Sequence, residues 1–129
     1  MRVEVLKVLD PSQGLVFFSS DFGSASGRWM GPHELRTGEF DIEFDLPEVE
    51  EWTVATSAEA ALSGAAEPGS EVWITCQVER VRGGDDTVVT VRTGPYLTYV
   101  EILNRRPELP EGGLISFRVP EIRLYPYDM

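Results

Sequence analysis

The sequence predicts an all-β protein with little helix, built from two small five-stranded units of OB-like or SH3-like type. Three observations carry this expectation. Apolar residues recur with a period of two along most of the chain, the spacing of strands with one buried face. Twelve glycines and nine prolines punctuate those runs at short intervals. Two octets, IEFDLPEV at 42–49 and ISFRVPEI at 115–122, write nearly the same letters 73 residues apart.

Taken in order, Val3, Val5 and Val8 open the first strand, LDPSQG turns the chain, and GLVFFSS returns it. DFGSASG reads as a Gly/Ser loop, RWM as a short strand, and GPHELRTG as another loop. GEFDIEFDL is the clearest strand: Phe40, Ile42, Phe44 and Leu46 alternate with Glu39, Asp41, Glu43 and Asp45. EEWTVAT supplies a fifth strand. SAEAALSGAAEPGS (57–70) has no apolar face long enough to bury, and is expected to connect the halves with a helical turn or two around AEAAL, closed by Gly64 and Pro68.

The second half restarts the series. SEVWITCQVERV is a long strand, RGGDD a hairpin turn, TVVTVRT its return, and TGPYLTYVEIL a third strand. After the loop NRRPELPEGG, the strands GLISFRV and EIRLYPYD are divided by Pro120, which cannot donate to a ladder. The expected organisation is an acidic β unit at 1–56, a connector at 57–70 and an OB-like unit at 71–129, the whole forming two cores or one compact fold. The offset of 73 also sets Val5 against Val78, Lys7 against Arg80 and Val8 against Val81.

Composition removes several functions. A single cysteine, Cys76, excludes an intrachain disulfide, and its strand-type neighbours mark it as a buried small hydrophobe. The one histidine, His33, lies in a distant Gly/Pro-rich loop. One Cys and one His do not make a zinc site or a thiol–imidazole pair, so no cofactor or metal is expected. DFGSASG lacks the lysine and spacing of a phosphate-binding loop. No apolar run approaches a membrane span and no signal segment opens the chain, so a soluble cytoplasmic protein is the expectation.

The net charge of −11 is uneven, with eleven acids and four bases in residues 1–56 against nine acids and seven arginines in 71–129. Such a chain is repelled by phosphate backbones, which argues against nucleic acid, and it favours encounter with a basic protein. The candidate surface for that partner is the ridge Glu39, Asp41, Glu43 and Asp45, extended by Glu48, Glu50, Glu51 and Trp52. Alternate acids on one strand face stand about 6.5–7 Å apart, too open for one calcium ion without added loop oxygens. A second candidate set, for a small anion, is Arg80, Arg82, Arg92, Arg118, Arg123 and Tyr125, since arginine beside aromatics holds oxyanions or stacked rings. Trp73, beside Ile74 in an apolar strand, is expected in the core; Trp29 and Trp52 are expected in the core or plugging barrel ends, with a partly exposed binding anchor as the alternative for each.

The residues Gly113, Ile115, Phe117, Pro120, Ile122, Leu124 and Tyr125, following a strand–turn–strand, resemble the transport-associated OB domain appended to transporter ATPases. That resemblance implies a barrel that binds a small anion or ligand, although no ATPase segment accompanies it. The first half, through GRWMG and GEFDIEFDLPEVEEW, resembles small acidic bacterial proteins, some of them immunity partners of secreted toxins. The functional expectation is a non-catalytic module that docks on a basic toxin or enzyme. The alternatives are a ligand-binding OB-like domain and a β-rich subunit assembling into a homodimer.

Overall fold

The alternating runs become eleven strands in a computed structural model that describes residues 1–31, 35–56, 59–81, 88–103 and 109–127. These are β1 (Arg2–Asp10), β2 (Leu15–Ser20), β3 (Gly23–Trp29), β4 (Gly38–Asp45), β5 (Trp52–Val54), β6 (Ala61–Gly64), β7 (Val72–Val81), β8 (Val88–Thr93), β9 (Tyr96–Glu101), β10 (Leu114–Val119) and β11 (Arg123–Pro126). The described residues contain no helix. His33, Arg82, Arg105, Arg106 and the RGGDD turn lie outside them.

β11, β4, β1, β2 and β3 form a closed five-stranded mixed barrel. Every neighbouring pair is antiparallel except β11 and β3, whose parallel pairing closes the ring. Val3, Val5, Val16, Phe18, Ala25, Ile42 and Leu124 are buried, as the period of two requires. The fifth strand therefore comes from the far end of the chain, while the segment after β4 goes elsewhere.

Six strands lie outside the barrel. β6 runs parallel to β3 and antiparallel to β7, and from β7 the path continues through β10 to β5, with β8 and β9 branching off β7. Of the two expected five-stranded units, the structure shows one, as a closed barrel, with the other six strands outside it. Among the described residues, the strands β5, β10, β7, β8 and β9 do not close by a ladder, and a parallel bridge joins Val49 to Ile102.

The registers of β1 and β7 can be set side by side. β1 meets β2 at Val5–Phe18 and Lys7–Phe17, with a bulge between Val5 and Lys7. β7 meets β8 at Val78–Val91 and Arg80–Thr90, with its bulge between Val78 and Arg80. Val3 pairs with Phe40 on β4, whereas Cys76 pairs with Ile115 on β10, a slip of two residues. An even slip keeps the same side chains inward, so it costs no burial. The segments after the two Pro-Glu steps are exchanged: β5, after the first octet, pairs with β10, and β11, after the second, pairs with β4.

Three local expectations are corrected. DFGSASG is mostly strand, not loop: β3 takes Gly and Ser because it is tightly packed. A Cβ on Gly27 would lie 3.2 Å from Phe18, Leu124 and the Ile122 carbonyl oxygen. One on Gly23 (φ 135°) would overlap the carbonyl oxygen of Leu62, where β6 docks. The helical turn expected around AEAAL is instead β6, because β3 and β7 offer a ladder on both its edges. Trp73 is 53% exposed rather than core. Val72, Ile74, Cys76 and Val78 take the inward positions of β7, and alternation turns Trp73 outward.

Candidate functional site

The outward positions of β6, β7, β10 and β5 make one continuous sheet face. Ser63 stands opposite Trp73, Trp73 opposite Arg118, Thr75 opposite Ser116, and Ser116 opposite Thr53. The floor is small and hydroxylated, with Thr75 and Ser116 hydroxyls 2.7 Å apart. Trp73 rises from it as the one large ring. At that end a groove of about 670 Å³ is lined by Glu48, Glu50, Glu51, Trp52, Thr53, Trp73, Ser116 and Arg118.

The chain reaches this groove because Pro47 ends the β4 run and the backbone of Val49 is pinned. The Val49 N–H donates to the Glu101 carbonyl, and its own carbonyl accepts from the Leu103 N–H, at 2.8 and 2.9 Å. Val49 itself is buried, so Glu48 and Glu50 are both turned to solvent. No described residue pairs with Glu48, Glu50 or Glu51.

Arg118 occupies one side of the groove. Its guanidinium carbon lies 5.5 Å from the centre of the Trp73 ring, and its Nε donates to Glu71 Oε2 at 2.7 Å. Both side chains of that ion pair are 54% exposed, so solvent screens it.

The remaining ridge residues lie on a different face. Glu39, Asp41, Glu43 and Asp45 project from β4 between β1 and β11. Asp41 meets Arg2 at 3.4 Å, Glu43 stands opposite Tyr125, and Asp45 opposite Arg123. Glu39 faces Glu4, a like-charge pair. The eight predicted partner-binding residues are thus divided between two surfaces, and only Glu48, Glu50, Glu51 and Trp52 converge on a groove.

The candidate anion-binding arginines do not converge. Arg92 makes a two-pronged pair with Glu79 at 3.0 and 3.2 Å, which holds the Glu79 carboxyl below its ordinary range. Arg123 bonds Glu121, which also receives Arg28 at 2.8 Å. Tyr125 sits beside Arg123 and helps raise its pKa after Glu121. Arg80 is exposed on β7, and Arg82 is outside the described residues.

Burial pushes the Cys76 thiol up to about 12, so it holds no thiolate near neutrality. Trp29 is buried against Phe40, edge to face at 4.8 Å, and Arg36 lies over that Phe40 ring. Sequence reasoning missed Trp73 as a site residue and did not link Arg118 to the acidic segment. The alternation of VWITCQV was the available signal for the first. No family model, curated protein or solved structure matches this chain.

Proposed function

We propose that this protein is a non-catalytic binding module that docks on a basic protein, of the toxin-neutralising or enzyme-inhibiting immunity kind. The observation that supports this most directly is the groove of Glu48, Glu50 and Glu51 around Trp52 and Trp73. Three carboxylates with no ion pair among the described residues stand beside aromatic surface, and tryptophan is among the residues that most often anchor interfaces. The net charge of −11 adds a long-range pull on any cationic partner.

In the same reading the closed barrel is OB-like, and the β7–β8–β9–β10 set is a second copy of the β1–β2–β3–β4 set. The shared registers and the shared bulge position support it. The exchanged closing strands then bring the acidic tail of the first octet onto the second copy.

The test is titration of an extended arginine–glycine peptide and of its glutamate–glycine counterpart. Saturable binding of the arginine peptide is expected, weakening about tenfold or more as salt rises to about 0.5 M. Reversing Glu48, Glu50 and Glu51 to Lys should abolish it, while Glu67→Lys, outside the groove lining, should change it little. Equal binding of both peptides, or equal loss with Glu67→Lys, overturns the proposal.

A further inference from the structure

We propose that Trp73 is a stacking plate for an arginine of the partner's basic segment, and that Arg118 is a built-in occupant which the incoming arginine displaces. This inference rests on the basic-partner reading and names the recognition event within it. Three observations carry it. Trp73 stands 53% exposed on a floor of Ser63, Thr75, Ser116 and Thr53, none of which is tall enough to cover an indole. A guanidinium already lies over its ring, at 5.5 Å, so the site displays the chemistry it selects. That guanidinium is tethered by Glu71 in an ion pair more than half exposed on both sides, which is a weak latch.

Displacement leaves no charge stranded. Continuing the β5–β10 register by one residue sets Glu51 opposite Arg118, so a released Arg118 swings between two carboxylates, Glu71 and Glu51. The incoming guanidinium takes the indole face, with Glu48 and Glu50 at the groove wall to accept its N–H groups. Arginine is selected over lysine because a planar guanidinium stacks on the ring whereas an ammonium is a hydrated point charge. An extended segment suits the flat sheet floor better than a helix does.

The experiment titrates the full-length protein with the arginine–glycine peptide, its lysine–glycine analogue and free arginine, reading tryptophan fluorescence and peptide anisotropy. Wild type should bind the arginine peptide a few-fold more tightly than the lysine peptide, and far more tightly than free arginine. Trp73→Ala should weaken binding about three- to thirtyfold, the range of a lost cation–π contact, with Trp73→Phe restoring part of it. Arg118→Ala should tighten binding about three- to tenfold by vacating the plate. Unfolding curves of each variant confirm that the fold is intact.

If the wild type binds the arginine peptide but Trp73→Ala and Arg118→Ala bind it equally well, this inference fails and the basic-partner reading stands. Weaker binding by Arg118→Ala overturns the displacement, and free arginine binding as tightly as the peptide overturns the segment as occupant. If no basic peptide binds any form at low salt, the proposed function fails and takes this inference with it.

Discussion

Two outer sheet faces of this molecule descend from the two octets, and they differ in every respect that solvent can read. On β11–β4–β1 the outward letters are charged and closely neighboured: Glu39, Asp41, Glu43 and Asp45 stand among Arg2, Glu4, Arg123 and Tyr125. On β5–β10–β7–β6 the outward letters are Thr53, Ser116, Thr75 and Ser63, with Trp73 and Arg118 at one end. Inward, the two octets agree at their ends and differ in the middle, Phe44 and Leu46 being half-buried where Phe117 and Val119 are buried. Ile42 and Ile115 are fully buried, as are Val49 and Ile122. A strand's two faces are chemically independent because alternate side chains point opposite ways. The same inward pattern can therefore carry a salt-bridged exterior on one sheet and an open aromatic groove on the other.

The largest effect expected from testing this comparison comes from the exchanged strands. Ending the chain after Glu121 deletes β11, which closes the barrel, and with it the buried Ile122 and Leu124. Cooperative thermal unfolding and the amide protection of β1 to β4 should both be lost, measured by circular dichroism and hydrogen exchange. Next come Ile42→Ala and Ile115→Ala, at equivalent octet positions and equally buried. Each should cost about 2–5 kcal/mol in urea unfolding. A cost near zero at one of them would show that the octets do not fill comparable cores.

A smaller effect of opposite sign is expected on the charged face. Glu39→Lys replaces the Glu4–Glu39 repulsion with attraction and should stabilise by about 0.2–1 kcal/mol. The smallest concerns acid. Hydrogen bonding by Arg92 lowers the Glu79 pKa, so its stabilisation is present above the unfolded-state value. It is lost as pH falls through the lowered folded-state value, and Glu79→Gln should flatten that part of the acid limb in a pH series of unfolding midpoints.

The regular strands were legible because burial on one face leaves a period of two in the letters, and GEFDIEFDL shows it without interruption. β3 was not legible, since its Gly and Ser are set by how closely Phe18, Leu124 and Leu62 approach it, and those neighbours come from distant segments. β6 was misread for a related reason: ASG-type composition favours no local structure, and two flanking strands imposed one. Within the candidate site, Glu48, Glu50, Glu51 and Trp52 are contiguous and visible as an acidic, aromatic segment. Their meeting with Trp73 and Arg118 depends on which strand β5 pairs with, and the letters of β5 do not name that partner.

By itself, the sequence determined the all-β class, the strand periodicity and the inward alternation of the octets. All of these are properties of local alternation, written by the requirement that apolar faces leave water. Tertiary structure alone decided that β11 closes the barrel begun by β1 to β4 and that β5 crosses to β10. It also decided that Trp73 faces solvent beside Arg118 and the acidic residues Glu48, Glu50 and Glu51. Strand pairing is made by backbone groups that every residue carries alike, so partner choice follows from how whole faces fit together rather than from the letters of one strand.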